Sequence, residues 1–314
     1  MHLYNDITLL PVFRNAVITI GTFDGVHEGH SRIISQLINE AELVKGTPVV
    51  ITFYPHPKQV VGQYKKPVFV LNTQEEKYRL LESKGIDHIV CVPFTKTFAE
   101  QPPETYIKDF IVEKFHPHTI IIGYDHRFGR NREGDYKLLE DAAHTYQYKV
   151  KEIPEYILKS SIISSTKIRE ALLTGEIDIA NEFLGYAYTL SGKVTEGKKL
   201  GRTLGYPTAN MAIHHPSKLI PAKGIYAVMV KTEAVPGRFK GMMSIGTNPT
   251  VDGKVQTLEV NIFDFDADIY NTDIEVSFIK KLRNEEKFNS LQELVVQMKL
   301  DKIDTLNILK EYNK

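Results

Sequence analysis

The chain has 314 residues, of which 42% are hydrophobic and 25% charged, with 39 basic and 39 acidic side chains. The length favours two domains, and the balanced charge provides no basic field of the kind that attracts nucleic acid. No apolar run approaches the roughly 20 residues that a membrane span requires, and the N-terminus has no basic region followed by an apolar core. The sequence therefore predicts a protein without nucleic-acid partners, a membrane segment or a signal peptide.

The chain contains a single cysteine, Cys91, which excludes an intrachain disulfide and fits a reducing cytoplasm, where we expect the protein to reside. Cys91 lies in the apolar run 89–92, so we expect a buried structural thiol and not a nucleophile. The sequence leaves self-association open.

The first half of the chain alternates between apolar strand-like runs and segments with helical spacing. The strand-like runs are residues 17–20, 48–53, 88–92, 119–122 and 148–153. The helix-like segments are residues 31–44, 73–83, 104–115 and 135–145. Strands that are apolar on both faces and separated by helices predict an α/β domain with a covered parallel sheet. Ligands of such sheets bind beyond the carboxyl ends of the strands.

A glycine-rich segment with two histidines, GTFDGVHEGH at residues 21–30, follows the first of these strands. A strand, a turn and a helix start place backbone N–H groups where a polyphosphate can bind. Because His27 and His30 are three residues apart, both imidazoles can face one phosphate, and Gly29 leaves room between them. Such donors stabilise charge on an α-phosphate during in-line attack. The alternatives are a metal site formed with Asp24, or surface histidines near a turn.

A second segment, ISSTKIR at residues 163–169, has the composition of a helix N-terminus. The hydroxyl groups of Ser164, Ser165 and Thr166 cap the predicted helix and, with its free N–H groups, would hold phosphates. Arg169 adds a fork of hydrogen-bond donors on the same helix. In isolation this string is a simple helix cap; its pairing with the first motif favours phosphate binding.

The sequence pattern changes at Gly185, after a short helix-like segment at 177–184. The strand-like runs beyond it are residues 188–194, 224–231, 239–245, 257–263 and 273–278. Closely spaced strands without intervening helices predict an antiparallel β-barrel. Residues 285–313 return to helical spacing. We therefore predict two domains, 1–185 and 186–314, the second ending in a helix.

Residues 192–199 match the spacing GxxxxGK, yet they do not predict a P-loop. Lys199 occupies the position where a P-loop requires Ser or Thr, and no helix follows. A basic, glycine-rich flap is the remaining interpretation, in which Lys198 or Lys199 touches phosphates.

The segment LGYPTAN at residues 204–210 carries a possible magnesium site. Pro207 fixes φ just before Thr208, and the side chains of Thr208 and Asn210 face the same side of an extended chain. Their oxygen atoms could hold a Mg²⁺ ion that bridges nucleotide phosphates. On its own, the segment is typical of a turn.

A carboxylate on the predicted strand 257–263 is a candidate general base. Glu259 and Asn261 share one face of this strand, and the other face is apolar. Glu259 could deprotonate an alcohol, an effect worth roughly 10²–10⁴ in rate. The alternative is a strand with one solvated face.

Together these motifs resemble the prokaryotic bifunctional FAD synthetases, in the same domain order and over nearly the whole chain. GTFDGVHEGH and ISSTKIR are similar to the two signatures of the HxGH nucleotidyltransferase superfamily, as bacterial FAD synthetases carry them. GRTLGYPTAN and LEVNIFDFDADIY are similar to the riboflavin kinase domain. The resemblance implies a Rossmann-like nucleotidyltransferase domain and a barrel kinase domain. It also implies that ATP phosphorylates riboflavin to FMN, and that a second ATP converts FMN to FAD with release of pyrophosphate.

The resemblance further implies roles for individual residues. The implied catalytic residues are His27, His30 and Glu259, and Thr208 and Asn210 would hold Mg²⁺. The implied ATP-binding residues are Gly21, Thr22, Phe23, Asp24, Gly25, Gly29, Ser164, Ser165, Thr166, Arg169, Gly201, Gly205, Pro207, Thr208 and Asn210. The implied flavin-binding residues are His56, Asp125, Arg127, Phe128 and Arg283. Arg127 also belongs to a local basic cluster with Arg130 and Arg132, which is either a solvated loop or a phosphate site.

Three residues depart from the family pattern. His126 stands where an aromatic residue is usual, Asn248 where arginine is common, and Asn261 where histidine is usual. Two alternatives follow: a monofunctional FMN adenylyltransferase with a weakened kinase domain, or a flavin-responsive binding protein that has lost turnover. The intact residues His27, His30 and Glu259 argue against the second alternative.

Overall fold

The computed structural model describes residues 1–61, 68–153, 163–197, 205–250 and 253–312. The chain divides into two compact units, Met1–Ser165 and Thr166–Lys314. This division lies before two helices that the sequence pattern assigned to the first predicted domain. The predicted domain boundary at residue 185 remains a prediction. Within the described residues, no helix is both long and apolar enough to cross a membrane.

The first unit is built on a six-stranded parallel sheet. Its strands are β1 (His2–Tyr4), β2 (Val17–Ile20), β3 (Pro48–Tyr54), β4 (His88–Pro93), β5 (Thr119–Gly123) and β6 (Lys149–Ile153). They lie in the order β1-β4-β3-β2-β5-β6. The sequence pattern missed β1, because a three-residue edge strand without an apolar alternation gives no periodic signal.

Helices connect these parallel strands. They are α1 (Glu28–Leu43), α2 (Pro57–Val61), α3 (Gln74–Ser83), α4 (Lys96–Ala99), α5 (the consecutive segments Pro103–Thr105, Tyr106–Val112 and Glu113–Phe115) and α6 (Tyr136–Tyr146). The middle segment of α5 is π-helical, and a 3₁₀ turn occupies Arg130–Arg132. Helix α3 begins with a full capping box, in which Thr73 and Glu76 each bond the other's backbone N–H.

Both faces of this sheet are buried, as the apolar runs predicted. Ile18 and Ile51 belong to the apolar cluster on one face, whereas Val17, Val50 and Cys91 belong to the cluster on the other. Cys91 is buried, as predicted. Burial of alternate residues on opposite faces is the reason these strands read as continuous apolar runs.

The sheet contains a topological switch point beside its central strand β2. The chain passes from β2 through α1 to β3 on one side, while β5 pairs with β2 on the other side. In sheets of this kind, ligands bind beyond the carboxyl ends of the strands at the switch point. The turn after β2, which carries the two-histidine motif, lies at that edge.

The second unit contains a closed antiparallel barrel. Its strands are β7 (Thr189–Thr195), β8 (Ala209–Ile213), β9 (Gly224–Thr232), β10 (Phe239–Thr250), β11 (Gly253–Ile262) and β12 (Asp273–Arg283), in the order β10-β11-β8-β7-β12-β9. Its helices are α7 (Ser165–Thr174), α8 (Ile177–Leu184) and the terminal helix α9 (Leu291–Glu311). The barrel and terminal helix were predicted, but β8 was not predicted as a strand, since it is only partly buried and has no clean alternation.

Candidate active sites

The turn between β2 and α1 has an unusual backbone. Phe23, Gly25 and Val26 have φ values of 48°, 90° and 36°, in the left-handed region. This region is unfavourable for a β-branched residue such as Val26. Phe23 and Val26 are 1% and 0% exposed, so packing of their side chains holds the strained turn in place.

The two histidines of the motif lie against each other at the start of α1. The rings of His27 and His30 are stacked, with centroids 3.7 Å apart and planes inclined by 15°. His27 is the N-cap residue, and its Nδ1 accepts a hydrogen bond from the backbone N–H of His30 at 3.4 Å. A Cβ atom on Gly29 would lie 3.1 Å from the His27 ring, which explains the glycine at this position.

The electrostatic environment favours an uncharged His30. Burial lowers the pKa of His30 well below its usual value, and the nearby positive charges of His27, Lys77 and Lys84 lower it further. The buried Nδ1 atom of His30 has no hydrogen-bond partner among the described residues. At neutral pH this imidazole is therefore a polar group with unused hydrogen-bonding capacity.

Asp24 stabilises the backbone conformation of the turn. Its buried carboxylate accepts hydrogen bonds from the backbone N–H groups of Leu71 at 2.9 Å and Asn72 at 3.3 Å. The described part of the chain contains no group of three or more His, Cys, Asp or Glu side chains suited to a metal ion. Asp24, His27 and His30 therefore do not form such a group, and phosphate binding at this turn stays a prediction.

Ser165 connects the second signature to this turn. Its hydroxyl donates a hydrogen bond to the backbone carbonyl of Asp24 at 2.9 Å. Helix α7 begins at Ser165, where the sequence predicted a capped helix, and Thr166 and Arg169 follow on the same helix. Ser165 of the second signature therefore lies beside the two-histidine motif within the first unit.

The residues predicted to bind flavin in the first unit have mixed environments. His56 follows β3, and its Nδ1 accepts a hydrogen bond from the N–H of Lys58. Asp125 is exposed, while Arg127 forms an ion pair with Asp135 at 2.7 Å in an exposed position. Phe128 is buried and stacks on a tyrosine ring, so its faces are occupied by the core.

His126 is the departure from the family pattern in this loop. Its ring lies 5.8 Å from that of Phe128, and its Nε2 atom is buried without a partner among the described residues. Burial, together with the charge of Arg132, lowers the pKa of His126 to about 4. The side chain is therefore a neutral ring at physiological pH and packs as an aromatic residue would.

In the second unit, Thr208 and Glu259 are joined directly. The Thr208 hydroxyl donates a hydrogen bond to Oε2 of Glu259 at 3.2 Å. Asn210, at the start of β8, pairs in register with Glu259 on β11. A Cβ atom on Gly197 would lie 1.9 Å from Nδ2 of Asn210, so the glycine leaves space for this amide. The barrel thus gathers the three residues that the sequence predicted for magnesium binding and proton abstraction.

Asn261 has a positioning contact that the sequence did not reveal. Its side-chain amide donates a hydrogen bond to the backbone carbonyl of Pro207 at 2.6 Å, and the residue is 5% exposed. Because Pro207 precedes Thr208, this bond ties the PTAN segment to strand β11. The asparagine thus joins two segments that carry candidate site residues.

This contact gives a testable prediction for Asn261→Leu. Removing the amide leaves the Pro207 carbonyl without its partner, so we expect the free energy of unfolding of the barrel to fall by about 1–3 kcal/mol. Urea unfolding measures the change, and Asn307→Ala, at an exposed position of α9, is the matched control. We also expect slower riboflavin phosphorylation and unchanged conversion of FMN to FAD. Unchanged stability together with an unchanged phosphorylation rate would contradict the assignment.

Some of the remaining predicted positions lie outside the described residues, and others lie within them. Gly201 and the flap lysines lie outside the described residues, as does the side chain of Asn248. Gly205 has φ of 80° with open space around it, which suits glycine in a turn. Arg283 forms a two-pronged ion pair with the buried carboxylate of Asp301, at 2.9 and 2.8 Å, and bonds the Asn284 carbonyl at 3.1 Å. Its guanidinium therefore ties β12 to α9.

Sequence reasoning also missed Lys77, whose ammonium lies beneath the two-histidine turn. The signal was available, since Lys77 is on the buried side of α3 with Tyr78 and Leu81. A lysine on the apolar face of a helix is unusual unless its charge is used.

The comparisons with known proteins agree with this division into two catalytic units. The sequence profile of the FAD synthetase family matches residues 11–167, and that of the riboflavin kinase family matches residues 184–309. A bifunctional riboflavin kinase/FMN adenylyltransferase from Haemophilus influenzae is 36% identical over 92% of this chain and 93% of its own. The protein of that description from Escherichia coli K12 is 37% identical over 91% and 90%.

A solved structure shows the same fold over the whole chain. It is a crystal structure from Streptococcus pneumoniae described as a macrolide-efflux protein, with a TM-score of 0.86, 29% identity and 98% coverage of both chains. The likeness concerns the architecture, and the description belongs to that protein.

The fold and the sites define a two-domain transferase, with a nucleotidyltransferase unit and a barrel of the riboflavin kinase type. The chain belongs to the family of bifunctional riboflavin kinase/FMN adenylyltransferases. The predicted family, fold class and two-activity function are confirmed, and the matches favour this function over a monofunctional enzyme or a binding protein.

Proposed function

We propose that the barrel transfers the γ-phosphoryl group of ATP to the ribityl 5′-hydroxyl of riboflavin. Glu259 accepts the proton of this hydroxyl, the new O–P bond forms, and the bond to the β-phosphate oxygen breaks to release ADP. The 3.2 Å hydrogen bond between Thr208 and Glu259 carries this proposal, because it places a carboxylate beside the predicted phosphate-binding segment.

Mg²⁺ belongs to the same proposal. The hydroxyl of Thr208 and the side-chain oxygen of Asn210 are hard oxygen donors, which suit Mg²⁺ with its remaining waters and nucleotide phosphates. Bound there, the ion would neutralise charge on the phosphates. The chain contributes the placement of these donors, through the Asn261 bond to Pro207 and the space left by Gly197.

The first unit joins FMN to the adenylyl group of a second ATP. A phosphate oxygen of FMN attacks the α-phosphorus of ATP, the bond to the β-phosphate breaks, and pyrophosphate leaves. His27 and His30 hydrogen-bond to the oxygens of the reacting phosphate and stabilise their increasing charge. The stacked pair, with an unbonded Nδ1 on His30, supports this role. No side chain forms a covalent bond to the substrate.

Other residues bind the substrates in this proposal. Ser165 and the N–H groups of the turn at residues 21–25 grip phosphates in the first unit. Thr166 and Arg169 are further proposed ATP contacts. His56 and Asp125 contact the flavin. Phe128 and Arg283 are also proposed flavin contacts, Phe128 from its stack on Tyr106 and Arg283 from its ion pair with Asp301.

The proposed partners are small molecules: riboflavin, FMN, ATP and Mg²⁺. We place the reactions in the cytoplasm, where both nucleotide and reduced thiol are maintained. Self-association remains a separate proposal, tested by the solution mass of the purified chain.

Product analysis tests the function. The purified chain, far below substrate concentration, is incubated with riboflavin, Mg²⁺ and ATP, and products are separated by chromatography. We expect FMN first and FAD later, with one pyrophosphate for each FAD. Riboflavin that stays unchanged while supplied FMN becomes FAD would contradict the kinase proposal. Omission of Mg²⁺ tests the metal requirement in the same assay.

A further inference from the structure

A buried lysine lies behind the two-histidine turn. Lys77, on α3, is 8% exposed, and its Nζ atom lies 2.9 Å from the hydroxyl oxygen of Thr52 and 3.3 Å from the backbone carbonyl of Thr22. Thr52, at the carboxyl end of β3, also donates a hydrogen bond to the Thr22 carbonyl at 3.1 Å. One carbonyl of the turn is therefore held by two separate elements of the sheet unit.

This arrangement is costly for a purely structural lysine. Removing an ammonium group from water costs several kcal/mol unless an opposite charge lies close to it. Within the described part of the chain, Nζ has only these two neutral oxygen partners and no carboxylate within 4.0 Å. Burial lowers the pKa of Lys77, and the electrostatic effect of nearby Cys91 and Asp24 opposes the shift. A methionine would fill the same space without that cost.

The turn that Lys77 holds is the strained one. Thr22 immediately precedes Phe23, whose φ is 48°, and Val26 has a φ of 36°. Strained backbone persists only where its surroundings over-determine it. The Asp24 carboxylate fixes one side of this turn to the amides of Leu71 and Asn72, and the Lys77 ammonium fixes the other through the Thr22 carbonyl.

We propose that Lys77 is a positioning residue for adenylyl transfer. Its ammonium fixes the turn that presents His27 and His30, and it supplies a fixed positive charge behind that turn. The inference rests on the proposed role of the two histidines. A buried positive charge in a region of low dielectric acts over a longer distance than an exposed one, and it favours the negative charge of a bound polyphosphate.

The positive charge of Lys77 also affects the pH range over which adenylyl transfer proceeds. The groups that lower the pKa of His30 are His27 on its own helix, Lys77 on α3, and Lys84 after that helix, in addition to burial. Loss of the Lys77 charge removes one of these effects, so the pKa of His30 rises. Protonation of His30 then begins at higher pH, and a reaction that uses neutral His30 loses rate at higher pH as well.

The test uses Lys77→Met in the full chain, with FAD formation from FMN and ATP as the readout. We expect kcat to fall by about 10- to 100-fold, because a misplaced turn disturbs the reacting geometry. We also expect the acid limb of the pH profile to move to higher pH. Arg79→Met removes an exposed positive charge from the same helix and is the matched control, with an expected change below about twofold.

A second variant separates the effect of Lys77 on the position of the turn from the effect of its positive charge. Thr52→Val removes one partner of the ammonium but keeps the charge, so we expect a smaller loss of kcat, about three- to tenfold, and an unmoved acid limb. Urea unfolding of the same preparations, followed by circular dichroism, reports whether the first unit is folded, and riboflavin phosphorylation reports on the barrel. If Lys77→Met does not fold, a full rate in Thr52→Val overturns the positioning role.

The outcomes distinguish this inference from the proposed function. An acid limb that stays in place in folded Lys77→Met, or an equal loss of both activities, overturns the role of Lys77. If His30→Ala is inactive while Lys77→Met has the full rate, only the Lys77 inference fails. If His30→Ala has the full rate, the histidine assignment itself fails.

Discussion

Glu259→Gln should abolish FMN formation and leave the conversion of FMN to FAD intact. We expect the phosphorylation rate to fall by roughly 10²–10⁴, because glutamine keeps the shape of the side chain but cannot accept the proton of the 5′-hydroxyl. Glutamine can still accept a hydrogen bond from Thr208, so the local structure should persist. Steady-state assays with riboflavin and with FMN measure the two reactions separately.

A matched control is available on the same barrel. Glu275, on β12, lies 3.8 Å from the ammonium of Lys231 and outside the site. We expect Glu275→Gln to retain the phosphorylation rate, since a partly exposed ion pair contributes little. Equal loss of FMN and FAD formation in Glu259→Gln would refute two separate sites, and a near-normal phosphorylation rate would remove Glu259 as the base.

His30→Ala should have the opposite effect. We expect FAD formation to fall by about 10²–10³, because the variant removes a hydrogen-bonding group held in a water-poor site beside the reacting phosphate. Phosphorylation of riboflavin should continue, so FMN should accumulate when riboflavin and ATP are supplied. The measurement is the ratio of FMN to FAD over time.

His144→Ala is the control for this variant, because His144 is exposed in the last turn of α6. Its FAD yield should equal that of the unmodified chain. An unchanged FAD yield in His30→Ala would remove the assignment of the HxGH histidines. Loss of phosphorylation as well would indicate damage beyond the first unit's site.

Local patterns explain why most of the fold was predictable. Strands buried on both faces give continuous apolar runs, and helices on a sheet give a period of about 3.6, so β2 to β6 and the helices α1, α3, α5 and α6 follow from the sequence. The switch from alternating elements to closely spaced strands likewise predicted the barrel. The missed strands, β1 and β8, are short and partly exposed, so they have no periodic signal. Their pairing with distant strands decides that they form.

The candidate sites likewise combine features that the sequence predicted with features that only the folded chain shows. Motif spacing placed His27 and His30 on one helical turn, and it placed Thr208, Asn210 and Glu259 on extended segments. It could not show that the Thr208 hydroxyl bonds Glu259 across a separation of 51 residues. Nor could it show that the ring of Phe128 packs on Tyr106, or that the guanidinium of Arg283 forms an ion pair with Asp301. Those facts depend on which side chains a strand register or a helix docking brings together.

The sequence by itself predicted the two domain types and the residue types at each site, through local spacing and motif chemistry, and its resemblance to a known family predicted the two reactions. Only the tertiary structure decided that Asn261 supports the Pro207 carbonyl, and that Lys77 lies buried under the strained turn. Both contacts join residues more than fifty positions apart. The physical reason is that tertiary packing sets the burial and the hydrogen-bond partners of a side chain. The role of a lysine or an asparagine therefore depends on the neighbours that it has in the folded chain.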